Sequence, residues 1–112
     1  MRPSELSQTL EVVKKLVAAG QVRISEHGYD ELVEDGIFVR DVIEGIRNAV
    51  VVEEYPAFVI GPAVLVLEYD RNGRPIHAVW GIPKGHESPA VLVTAYRPDP
   101  KQWGKDFTER KK

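Results

Sequence analysis

The chain contains no cysteine. That excludes disulfides, thiolate nucleophiles and cysteine-based zinc sites together, and it fits a reducing compartment. A long apolar run is also missing. The opening MRPSELSQTLEVVKK holds nothing of the length a signal peptide or membrane span needs, so a cytoplasmic protein without membrane contact is the expectation. No glycine-rich loop joins a strand to a helix, which leaves no phosphate-cradling motif. No two histidines stand four apart, and His27 with Glu31 supplies only two ligands. Neither a metal nor another cofactor is expected. Positive charge is short too, with 15 Lys and Arg against 17 Asp and Glu for a net charge of −2. A generic nucleic-acid binder needs a positive surface, and here only a local one is available. It lies at the end of the chain, where Arg97, Lys101, Lys105, Arg110, Lys111 and Lys112 face Asp99, Asp106 and Glu109.

What is present suits one domain over residues 1–112. A chain of this size buries about two-thirds of its unfolded surface, enough for a core without metal or disulfide. Ser4 as N-cap and Glu5 in the first turn open a helix over about 5–19, with Leu6, Leu10, Val13, Leu16 and Val17 at helical spacing and Gly20 as its stop. Residues 21–24 read as an extended lead-in. Ser25 caps a second helix that Gly36 ends, with Leu32 and Val33 on its core side. Val39, Val42, Ile43 and Ile46 mark a third helix that stops near Asn48.

The period then changes to two. Residues 49–54 form a strand that Tyr55-Pro56 ends. The apolar connection Ala57-Phe58-Val59-Ile60-Gly61-Pro62 is unusual for a loop and is expected to fold over something. Residues 63–69 and 90–96 are apolar on both faces and read as central strands. Asn72-Gly73 marks a hairpin whose return strand is 75–81. On that strand Ile76, Ala78 and Trp80 share one face, and His77, Val79 and Gly81 the other. Strict alternation puts Tyr96 with Ala90, Leu92 and Thr94. Asp99 and Pro100 predict a short terminal helix, pinned by Trp103 and Phe107. The expected fold is therefore α+β, with N-terminal helices on one face of a four-stranded antiparallel meander and a short C-terminal helix.

Several short runs carry a resemblance. They are Ile24-Ser25-Glu26-His27, Gly36-Ile37, Asp41-Val42 and Glu54-Tyr55-Pro56. Further on come Asn72-Gly73-Arg74-Pro75-Ile76-His77, Thr94-Ala95-Tyr96 and Pro98-Asp99-Pro100-Lys101 with Trp103, Asp106, Phe107 and Arg110. Over about 22–110 the chain resembles the domain-of-unknown-function family 4258, grouped with RelE-like toxin ribonucleases in the barnase-EndoU-colicin-RelE fold. The extra helix at 5–19 precedes that core. The resemblance implies a sheet with an open, grooved face that receives RNA, and pairing with a small antitoxin. The chain departs from the family pattern over Ala57-Phe58-Val59-Ile60-Gly61, where the family tends to carry polar residues and a second tyrosine, and at two charged positions. Glu31 and Asp35 stand where the family tends to carry arginines, and a carboxylate near a scissile phosphate repels it.

Metal-independent RNA cleavage needs a base for the 2′-hydroxyl, an acid for the leaving oxygen and cations on the phosphate. The catalytic candidates are His27, His77 and Tyr96, with Arg97, Tyr55 and Lys101 as substrate contacts. Each has a plainer alternative. His27 reads as a histidine bonded to Glu31 or a backbone carbonyl, His77 as a cross-strand contact, and Tyr96 as a ring closing the core. His86, in a charged turn, reads as solvated. Two functions stay open: an endoribonuclease acting on RNA or the ribosome, and a non-catalytic member that binds a protein or small ligand through the same groove. Homodimerisation, through an edge strand or the segment 57–62, is a third option.

Overall fold

The computed structural model describes residues 7–104 and 106–111. The elements run α1 Gln8–Ala18, β1 Val22–Ile24, α2 Glu26–Glu34, α3 Val39–Gly45 with a 3-10 turn Ile46–Asn48, β2 Val50–Tyr55, β3 Ala63–Tyr69, β4 Pro75–Gly81 and β5 Ala90–Tyr96. The α+β class is as expected. Ser4, Glu5 and Leu6 at the front, and Lys105 and Lys112 of the basic run, lie outside the described residues. The cap of α1 is Ser7, whose Oγ accepts the Leu10 N–H at 3.1 Å. Among the described residues no helix is long and apolar enough to cross a membrane.

The sheet differs from the expected four-stranded meander. It has five strands in the order β1-β5-β4-β3-β2 and is mixed, because β1 pairs parallel with β5. The lead-in of residues 21–24 is thus an edge strand. Three residues are too few to show a period, and their partner, Ala90 to Leu92, lies far away in sequence. The expected C-terminal helix is also replaced. Residues 99–103 make a turn closed by Gln102 and Trp103 N–H bonds to the Asp99 carbonyl, and Trp103 bridges antiparallel to Arg110. The Asp99 side chain accepts the Lys101 N–H at 2.8 Å, an Asx turn rather than a helix cap.

The three α-helices cover one face of the sheet. Leu10 and Val13 of α1, Leu32 of α2 and Val42 of α3 pack with Val64, Val66, Ile76, Ala78 and Trp80. Val33, expected beside Leu32, is exposed instead, since only one side of this short helix meets the sheet. The segment 57–62 folds its backbone against the next turn, with Lys84 N–H donating to the Ile60 carbonyl at 2.9 Å, while Val59 and Ile60 point to solvent.

One local joint controls which side chains reach the opposite face. Ser25 Oγ accepts the Gly28 N–H at 2.9 Å and donates to the Val93 carbonyl at 2.8 Å. Val93 is the extra residue of a bulge: Trp80 pairs Leu92, and Val79 pairs Thr94. The bulge shifts the alternation of β5. Leu92 and Ala95, three apart, both face the helices, and Tyr96 faces away with its cross-strand neighbour His77. This reverses the placement of Tyr96 with Ala90 and Leu92 that strict alternation gives. Gly28 makes the joint possible, because a Cβ there stands 2.9 Å from the Leu92 carbonyl oxygen and 3.1 Å from that of Val93. Gly28→Ala is expected to destabilise the fold by about 2 kcal/mol through overpacking, read as a lower urea midpoint at unchanged slope. An unchanged midpoint sinks this account of the joint.

Candidate functional site

The face turned away from the helices carries the chemistry. Alternation places Glu53 and Tyr55 of β2, His77 of β4 and, through the bulge, Tyr96 of β5 on that side. Leu65 and Leu67 of β3 lie between them and are buried, although they are not part of the helix-side core. The C-terminal segment, 98–104 and 106–111, covers this face as a strap. It folds back on itself through Gly104 N–H to the Glu109 carbonyl at 2.8 Å and Lys111 N–H to the Gln102 carbonyl at 2.8 Å.

Three contacts fasten the strap. Trp103 is buried, with its ring edge-on to His77 at 4.4 Å between centroids. The Phe107 carbonyl lies 2.7 Å from His77 Nε2. A carbonyl only accepts, so Nε2 carries the proton, and Nδ1 is left as acceptor for the Tyr96 hydroxyl at 3.4 Å. The third contact is Arg110, whose Nε and Nη2 reach the two oxygens of Glu53 at 3.0 and 3.1 Å, with the guanidinium 4.7 Å from the Trp103 ring centre. Tyr55 completes the group by donating to Glu53 Oε1 at 2.6 Å.

These surroundings set the protonation states. Burial lowers the pKa of His77, and the Phe107 carbonyl only partly opposes this. Burial raises Tyr96. Burial, and then the Glu53 carboxylate, push Tyr55 up to about 12. The Arg110 hydrogen bonds, followed by that of Tyr55, hold Glu53 below the usual carboxylate range. At neutral pH the face therefore holds a neutral imidazole, two protonated phenols, a carboxylate and a guanidinium.

Of the residues singled out from sequence, Tyr55, His77 and Tyr96 come together here. His27 does not. It sits on α2 in the helix layer, is 67 % exposed, and has Glu31 at 3.7 Å as its neighbour. Arg97 is engaged elsewhere: Nη2 donates to Asp70 Oδ2 at 2.8 Å and Nη1 to the Pro75 carbonyl at 3.1 Å, which staples the β3–β4 hairpin. Lys101 is exposed in the strap's first turn, and His86 is exposed as expected. Asp35 accepts the Arg97 N–H at 2.9 Å, so that carboxylate caps the end of β5 rather than facing a substrate. Glu53 was missed among the site residues. Its signal was its i, i+2 spacing to Tyr55, which puts both on one face of a strand. Among the described residues no group of three metal-ligating side chains comes together.

A family described as Domain of unknown function (DUF4258) matches residues 24–97. The matched stretch includes Glu53, Tyr55, His77 and Tyr96. The later run, 98–110, which carries part of the resemblance, lies beyond it. No curated protein matches the chain, and no solved structure does.

Proposed function

The chain belongs to the family described as Domain of unknown function (DUF4258), and from that membership we propose that it is a RelE-related, toxin-like domain that cleaves RNA without metal at the strap-covered face. One observation carries the reading. Tyr55, His77 and Tyr96, from three different strands, share a face with the carboxylate of Glu53 and the guanidinium of Arg110. The protonation states fit the roles. A neutral His77 imidazole takes the 2′-hydroxyl proton as the 2′-oxygen attacks phosphorus. The bond from phosphorus to the 5′-oxygen breaks with its electron pair, and the Tyr96 hydroxyl, kept protonated by burial, supplies the proton to that oxygen. Arg110 offers the phosphate a forked donor. The products are a 2′,3′-cyclic phosphate and a free 5′-hydroxyl. RNA, free or on the ribosome, is the substrate in this reading, and a small antitoxin is the natural protein partner.

The test is incubation with single-stranded RNA in the presence of chelator. Cyclic-phosphate ends are expected, with a rate that falls as pH drops below 6.5 and the base becomes protonated. Tyr96→Phe keeps the ring and loses the acid, so the rate is expected to fall about a hundredfold. Intact RNA, or a Tyr96→Phe rate equal to that of the parent, refutes the catalytic claim.

A second reading is a non-catalytic member that binds a protein or small ligand. Its support is that His77 is fully buried and that Arg97 and Arg110 both sit on carboxylates. Intact RNA together with saturable partner binding that Glu53→Gln weakens is the outcome this reading expects.

A further inference from the structure

We infer that the strap is a cover that RNA itself displaces: a phosphate takes Arg110 from Glu53, and the release uncovers His77. The inference rests on the RNA reading above and adds to it how the face opens.

The closed state seals the imidazole from substrate at identifiable atoms. His77 Nε2 is held by the Phe107 carbonyl at 2.7 Å, and Trp103 stands edge-on to the ring. No substrate atom reaches the imidazole while both stay in place. The clasp that keeps the strap down is its most exposed contact. Arg110 is 61 % exposed and Glu53 34 %, so the pair is screened by salt and open to competitors. A phosphate offers a guanidinium the same forked acceptor that a carboxylate does, with more charge. The exchange gives Arg110 the phosphate as its partner and frees Glu53.

One further observation points the same way. Phe107, the residue whose carbonyl seals His77, has φ of 60° without being glycine. Such a backbone costs about 1 kcal/mol and persists only while its surroundings hold it.

Trp103 reports the opening. The chain has two tryptophans, and Trp80 is fully buried in the helix-side core, away from the strap. The experiment follows acrylamide quenching of the full-length protein as a single-stranded 2′-O-methyl RNA oligonucleotide is added; this probe binds but cannot be cleaved. Quenching is expected to rise about threefold as the strap becomes locally open, and the His77 imidazole resonance to titrate closer to 6.5. Glu53→Gln is expected to reach the same state with less oligonucleotide. Unchanged quenching and an unmoved His77 resonance with the oligonucleotide bound overturn the inference. Opening by the oligonucleotide while ordinary RNA stays intact upholds the cover and defeats only the cleavage reading.

Discussion

Glu68→Gln is expected to make the protein more stable at pH 8 by about 4 kcal/mol. Glu68 lies on the helix-facing side of β3 and is 1 % exposed. Its Oε2 accepts the Trp80 indole N–H at 3.1 Å, while Oε1 has no hydrogen-bond partner. The approach is close: a Cβ on Gly45 of α3 stands 2.9 Å from Oε1. Burial pushes the carboxyl up to about 8, against an ordinary 4.5, and the indole hydrogen bond offsets little of this. The folded protein therefore keeps a proton there that the unfolded chain loses above 4.5. The stability this proton confers is fully present below 4.5 and is lost as pH rises through 8. Between pH 6.5 and 8 the effect stands alone. His77, whose pKa is lowered, acts only below 6.5, and Glu53, Asp70 and Asp106, also lowered, act only at more acidic pH. Across that window urea denaturation is expected to show the parent losing about 2 kcal/mol and Glu68→Gln losing nothing. Below 4.5 the two converge, because an amide mimics the neutral acid. A parent whose stability is flat from 6.5 to 8 means that Glu68 is not held protonated.

Glu68 also shows where sequence reading stops. Ala63 to Tyr69 is apolar on both faces and reads as a central strand, and the strand is there. Nothing in AVLVLEY tells whether its one acid faces solvent or Trp80, since that depends on a neighbouring strand's register. The three α-helices were legible from their caps and apolar spacing, and the four longer strands from alternating or wholly apolar runs bounded by turn signals. Tyr96 was assigned to the wrong face because one inserted residue, Val93, defeats a count of two. The bulge is tied to Ser25, 68 positions away in the chain, and to Gly28 beside it. Charge pairing was the least legible part. By type Asp35 reads as a carboxylate that repels phosphate, and in the fold it caps the Arg97 N–H. Arg97 was expected to hold substrate and instead holds Asp70. Residue type named these groups correctly as charged, but tertiary contacts chose their partners.

Trp103→Ala is expected to lower stability by about 3 kcal/mol, and the way it does so separates a cover from a core element. Trp103 is buried only because the strap lies on the sheet, and its neighbours are His77 and Arg110 rather than the helix-side core. Once the ring is gone, the strap detaches while β2 to β5 remain folded under the helices. The loss is therefore capped at the strap's own docking free energy. The urea slope falls as well, because the native state has less surface left to expose. His77 supplies the second readout. Burial now holds its pKa below 6.5, so the closed fold loses stability as pH falls below 6.5 toward the folded-state value. With Trp103 removed the imidazole is solvated, its pKa returns toward 6.5, and that acid-side loss shrinks. A core tryptophan gives the opposite outcome: the slope is retained, the far-UV signal of the sheet weakens, and the titration of His77 is unchanged until the whole protein unfolds. If Trp103→Ala behaves in that second way, the strap is part of the fold, and the face beneath it never opens in the native state.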